Sequence, residues 1–252
     1  MINIFRKHSR IDNNSTHYGA KLITIADPKN MISEQFRTIR TNISFMGIDH
    51  PIKTLAFTSA NMSEGKSTVT DNVVVVWANS GKNVLLIDAD LRRPTLHKAF
   101  NKSNQAGLTT ILTTSQTTVD MSKMIQPSGV QNLSIITAGP IPPNPAELLN
   151  SKRMSSLLDA VSDVYDVVIL DVPPILEVSD TQALINKLDG VVMVVKAGQT
   201  QKAAAQRAVQ LIKMSKTRIL GYVINDVNRD GDAAYGYGYG YGYGYGYSSD
   251  EK

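Results

Sequence analysis

Residues 54–68 read TLAFTSANMSEGKST, and their order decides the fold. The β-favouring run TLAFTS passes directly into a polar loop. The chain then resumes as STVTDNVVVVWANSG, which reads as a helix stopped at Gly81. Ala60, Gly65, Lys66 and Ser67 fit the pattern [AG]-x4-G-K-[ST]. Between a strand and a helix, such a loop turns successive backbone N–H groups towards one point, with a helix N-terminus behind them. Gly65 lets the backbone approach phosphate oxygens, Lys66 supplies a mobile positive charge, and Ser67 offers a hydroxyl to Mg²⁺. The loop Ala60, Asn61, Met62, Ser63, Glu64, Gly65, Lys66, Ser67 and Thr68 is therefore the predicted cradle for a nucleotide triphosphate. A pattern this loose arises by chance in roughly 2% of chains of this length. The strand before it and the helix after it lower that figure, so phosphate binding outweighs a lysine on an exposed turn.

Outward from the loop, short apolar runs alternate with helical stretches. NVLLIDAD (83–90), LSIITA (133–138), DVVILD (166–171), GVVMVVKA (190–197) and ILGYVIND (219–226) read as further strands. Helices are predicted around 146–161, 180–188 and 200–214. Continuous rather than alternating apolarity means that both faces of these strands are covered, as in a parallel sheet with helices on each side. The predicted fold is doubly wound α/β with a mostly parallel sheet, a P-loop NTPase fold. Its domain is expected over 31–228, after an N-terminal arm at 1–30 and before a tail at 229–252. Within MISEQFRTIRTNISFM (31–46), Ile32, Phe36, Ile39, Ile43 and Met46 form one apolar helical face, and Glu34, Arg37 and Arg40 fall away from it.

Two strands end in carboxylates. Asp88 and Asp90 are two apart, so on a strand both point the same way. Asp171 closes DVVILD before two prolines. Ligands of such sheets sit at the C-terminal strand edge. Three carboxylates beside a phosphate loop supply oxygen ligands for Mg²⁺, direct or through water, and leave one to accept a proton from an attacking hydroxyl. Taken singly, each would read as a helix cap or the start of a turn. Arg92 and Arg93 suit either a phosphate clamp or plain surface. Asn225, at the end of GYVIN, suits either a contact to the nucleotide base or a turn.

Composition narrows the classes. The chain has 252 residues and no cysteine, which excludes a disulfide framework, thiolate zinc and cysteine-ligated iron–sulfur clusters. The formal charge is +4, but Lys and Arg are scattered, with no basic stripe interleaved with aromatics, so no nucleic acid is expected as a partner. The four histidines show no metal-ligand spacing. VVVVW (73–77) and VVMVV (191–195) are too short to span a bilayer, and the first ten residues have no apolar core of a secretory signal. A cytoplasmic location is expected.

The chain closes on GDAAYGYGYGYGYGYGYSSDEK, with Tyr235, Tyr237, Tyr239, Tyr241, Tyr243, Tyr245 and Tyr247 each separated by one glycine. Glycine at every second position forfeits side-chain packing, so the tail is predicted to be disordered. A low-complexity stacking segment is the bland reading. Beside a nucleotide site, the row of phenols instead reads as a set of phosphate acceptors at high local concentration.

These motifs together resemble the bacterial tyrosine kinases of the P-loop type, found with capsule and exopolysaccharide assembly systems. The resemblance runs over roughly 30–247. It rests on SANMSEGKST, on LLIDADLRRP as the family's second acidic motif, on VVILDVPP as its Walker B motif, on AGPIPPNPAELL (138–149), on the E-x-x-R-x-x-R helix of Glu34, Arg37 and Arg40, and on the tyrosine-rich end. One departure stands in mid-loop, where relatives usually place Pro-Gly and this chain has Met62-Ser63. The resemblance implies ATP and Mg²⁺ as cofactors, with Lys66 and Ser67 on phosphates and metal. Asp88 and Asp90 would assist the metal and activate the tyrosine hydroxyl, and Asp171 would complete the metal site. It further implies that Glu34, Arg37 and Arg40, which alone would read as ordinary salt bridging on a solvated helix face, join subunits into a homo-oligomeric ring whose tails enter neighbouring sites. A transmembrane adaptor would hold the kinase at the inner face of the cell membrane, and a cognate tyrosine phosphatase would oppose it. The competing class of the same fold is a switch ATPase of the partition or septum-positioning kind, with no kinase activity.

Overall fold

A computed structural model describes residues 20–114 and 123–227. The tail tyrosines at 235–247 and the first 19 residues lie outside the described residues. Seven strands form one sheet in the order β3-β4-β2-β5-β1-β6-β7. They are β1 (Thr54–Ser59), β2 (Val84–Asp88), β3 (Gln126–Pro127), β4 (Leu133–Ile136), β5 (Val167–Asp171), β6 (Gly190–Lys196) and β7 (Ile219–Asn225). Every pairing is parallel except β3 with β4. The mostly parallel α/β sheet is the predicted one. Its antiparallel edge strand, β3, is only two residues long and has no apolar run by which a sequence reading could find it.

β1, β2 and β5 are buried along their whole length. Their side chains divide between two apolar layers. One holds Leu85, Ile87, Val168 and Leu170 with Leu157, Leu184 and Ile212. The other holds Leu55, Phe57, Leu86 and Ile169 with Val73, Val76 and Trp77. That two-sided burial is why the strands read as continuous rather than alternating apolar runs.

Helices α1 (Ile23–Ala26) and α2 (Met31–Met46) precede β1, and α3 (Lys66–Ala78) follows it. α3 is enclosed on nearly all sides, which explains its unbroken valines. Then come α4 (Leu96–Ala99), α5 (Leu108–Thr113), α6 (Pro145–Asn150), α7 (Lys152–Val164), α8 (Asp180–Ile185) and α9 (Lys202–Met214). The predicted helix at 146–161 is two helices meeting at Ser151, whose hydroxyl caps α7 by accepting from Met154 N at 3.2 Å.

On α2, Phe36 and Ile43 are buried, while Ile32 and Met46 at its two ends remain 38% and 39% exposed. The lead-in departs from a loose arm over its last third. Thr24 is buried, and its N–H and hydroxyl both donate to Asn72 Oδ1, at 3.0 and 2.9 Å. Asn72 Nδ2 returns a bond to Lys21 O at 2.9 Å. A buried amide on α3 needs partners, and the chain ahead of α2 supplies them.

Candidate active site

β1 delivers the phosphate loop at the C-terminal edge of the sheet. Gly65 takes φ 86°, and Ser63 takes φ 61° despite carrying a Cβ. A Cβ on Gly65 would lie 1.9 Å from Asn225 Nδ2, and the left-handed backbone there also favours glycine. The buried Glu64 carboxylate ties the loop together. It accepts Ala60 N at 2.9 Å, Asn61 N at 3.1 Å, Asn61 Nδ2 at 3.1 Å and the Thr200 hydroxyl at 2.7 Å. Ala60 and Asn61 therefore spend their amides inside the loop. The residues that line the adjoining cavity of about 240 Å³ are Met62 to Ser67, with Ser59, Asp90, Arg92, Arg93 and Thr95 on one side and Pro173, Pro174, Glu177 and Val178 on the other. Thr68 is not among them. Asn225 stands outside this cavity, donating to Glu64 O at 3.1 Å. It braces the loop from the end of β7.

Behind the loop the predicted residues converge. Lys66 Nζ lies 2.7 Å from Asp171 Oδ1 and 3.7 Å from Asp90 Oδ2. The Ser67 hydroxyl donates to Asp171 Oδ2 at 2.7 Å. β1 and β5 pair through Phe57 and Asp171, and β2 and β5 through Asp88 and Asp171, so sheet register itself brings these groups to one edge. Burial works against the Lys66 ammonium, but Asp171, Asp90 and Asp88 outweigh it and hold its pKa above the usual lysine value.

Asp88 and Asp90 differ from the simple two-apart picture. The strand ends at Asp88, whose oxygens accept Asp90 N at 3.2 Å and Leu96 N at 3.1 Å. Asp88 thus forms the turn that carries Asp90 forward to Lys66, the aspartate-after-strand role that its sequence position also allowed. Burial first, then Asp171 and Asp90, push Asp88 well above the usual carboxylate range. Asp90 is raised by burial and by Asp171, against the pull of Lys66.

The sequence reading missed Asp71. It lies one turn along α3 from Ser67, it is buried, and neither of its carboxylate oxygens has a hydrogen-bond partner. Burial, then Asp171 and Asp88, hold its pKa well above the ordinary value. Asp71, Asp88, Asp90 and Asp171 therefore face a single ammonium, and the centre is short of positive charge.

That shortage, and a donor set made wholly of oxygens, fit Mg²⁺. The ion retains waters and is held by one or two carboxylates together with substrate phosphates. Among the described residues, no three acidic, imidazole or thiolate groups are grouped to hold a metal ion; a bound Mg²⁺ would take the rest of its shell from substrate phosphates and water. Ser67 and Asp171 are the protein groups placed to hold it. Each oxygen of Asp88 already accepts one backbone amide, so Asp88 is anchored to the turn as well as facing the cluster.

On α2, Arg37 pairs with Glu34 and donates to Pro28 O at 2.7 Å. Arg40 donates to Val76 O at 3.3 Å. None of the three is among the residues that line the phosphate-loop cavity. Among the described residues, no helix is long and apolar enough to cross a membrane.

A family model described as an AAA domain matches residues 52–222. Tyrosine-protein kinase YwqD of Bacillus subtilis is 45% identical over 89% of this chain and 93% of its own. Putative tyrosine-protein kinase CapB of Staphylococcus aureus is 36% identical over 82% of this chain and 90% of its own. The solved kinase domain of the Escherichia coli tyrosine kinase ETK superposes with a TM-score of 0.80 at 33% identity, covering 87% of this chain and 85% of that one. The chain belongs to the family of bacterial P-loop tyrosine-protein kinases.

Proposed function

We propose that this kinase uses ATP and Mg²⁺ to phosphorylate tyrosines 235–247 on the tail of a neighbouring copy. The observation that carries this reading is the convergence of Lys66, Ser67, Asp90 and Asp171 beside an open cavity on the phosphate loop. In the step, the tyrosine Oη forms a bond to the γ-phosphorus and the bond from that phosphorus to the ADP oxygen breaks. The phenolic proton passes to Asp90, the one aspartate of the cluster that lines the cavity. A phenol with a pKa near 10 needs such a base and an in-line approach. Lys66 leaves Asp171 to meet the phosphates, and the loop amides hold them. Mg²⁺, when bound, neutralises charge developing on the phosphate oxygens.

Each phosphate adds about −1.5 to −2 charges, so a tail modified several times over becomes a polyanion and withdraws from the neighbour's cleft. A ring joined through Glu34, Arg37 and Arg40 then loosens. Phosphorylation becomes a switch on assembly, serving capsular or exopolysaccharide synthesis and export through a membrane adaptor, with a tyrosine phosphatase to reset it.

Mixing tests the reading. Lys66→Met protein, which retains its tail, is combined with active protein lacking residues 229–252, in ATP and Mg²⁺. Phosphotyrosine is expected on the Lys66→Met chain only in the mixture. ATP consumption with no phosphotyrosine on either chain would contradict the kinase reading and favour the switch ATPase.

A further inference from the structure

Two adjacent arginines at the lip of the cavity are held in different ways. Arg92 donates through Nε and NH2 to both oxygens of Asp180, at 2.7 and 3.0 Å, and Asp180 is fully buried at the start of α8. Its charge is matched. Arg93 is exposed and makes no ion pair with another of the described residues. Its NH1 lies against the sulfur of Met62. A thioether is a weak acceptor, so the guanidinium is parked rather than paired.

The placement of Arg93 is fixed by the base. Its backbone N–H donates to Asp90 Oδ1 at 3.1 Å. A phenol entering the cavity is neutral and offers a guanidinium little. A phosphotyrosine offers a dianion that arginine can grip through two parallel N–H bonds. In an extended chain, residues two apart point the same way and stand about 6.6–7 Å apart. That is comparable to the reach of an arginine side chain, and it is the spacing of every tyrosine in the tail.

We propose that Arg93 binds the phosphate of a tail tyrosine already modified and so sets the tyrosine two residues away over Asp90. This rests on the kinase reading above. It makes phosphorylation sequential along one tail, so phosphates accumulate on the same chain instead of spreading one to each. An assembly switch that works by charge repulsion within a tail requires that concentration.

The test uses full-length enzyme and synthetic peptides of residues 234–247, either unmodified or carrying one central phosphotyrosine. The primed peptide is expected to show a KM lower by about tenfold, the scale of one strong charge-assisted contact. Arg93→Gln should erase the difference without moving the KM for ATP, and Arg93→Lys should restore part of it. Equal KM values for the two peptides with the wild-type enzyme would overturn the inference while leaving the kinase reading intact. A raised KM for ATP in Arg93→Gln, or equal slowing of both peptides, would also overturn it, because the guanidinium would then serve the nucleotide. Failure to phosphorylate either peptide would sink the kinase reading, and this inference with it.

Discussion

At the scale of single residues, Asp71 is the most telling side chain, because it is buried, acidic and without a hydrogen-bond partner. Its raised pKa means that the folded chain binds a proton there more readily than the unfolded chain does. Ionised Asp71 therefore destabilises the fold. The penalty is absent below the ordinary carboxylate pKa, grows as pH rises through that value, and is full above the raised folded value. Asp71→Asn should stabilise the nucleotide-free protein at neutral pH by about 1–3 kcal/mol. Thermal unfolding should shift upward by about 2–4 °C per kcal/mol, and the gain should disappear towards pH 4. An equal Tm at neutral pH would contradict the electrostatic account. Nothing in the sequence separates Asp71 from an ordinary polar position between Thr70 and Asn72. Lys66 and Asp171, by contrast, were legible because each ends a local pattern, a loop motif or a buried strand. The turn-forming role of Asp88 was legible only as an alternative, since hydrogen bonds to Asp90 N and Leu96 N depend on where the strand stops.

Among the elements, the phosphate loop is held from outside as much as from within. Glu64 links it to Thr200, whose hydroxyl also accepts Lys196 N at 2.9 Å, and Asn225 closes over Gly65 from β7. Gly65→Ala would suffer twice. The left-handed conformation costs a residue with a Cβ about 1–2 kcal/mol, and the new methyl would collide with Asn225 Nδ2. The KM for ATP should rise about tenfold or more, and adding Asn225→Ala should recover part of it, a coupling read from a double-mutant cycle. Purely additive effects would show that the contact does not shape the loop. The parallel strands were readable because burial on both faces writes itself as unbroken apolar runs. β3, α4 and α5 were not. Each is two to six residues long, too short for a period to declare itself.

For the whole molecule, the sheet order puts β1 between β5 and β6, so the loop after β1, the aspartate that ends β5 and the aspartates at the end of β2 open on one edge. β7 ends at that same edge, because Asn225 is both the last residue of β7 and a contact of Glu64 in the phosphate loop. The central claim, that this edge transfers phosphate to the tyrosine row, is tested most directly by intact-mass analysis of the purified chain after incubation with ATP and Mg²⁺, with the modified residues then mapped. Several phosphate-sized additions confined to residues 235–247, and absent in Lys66→Met, are the predicted result. ATP turnover with an unmodified tail, or additions that persist in Lys66→Met, would contradict it.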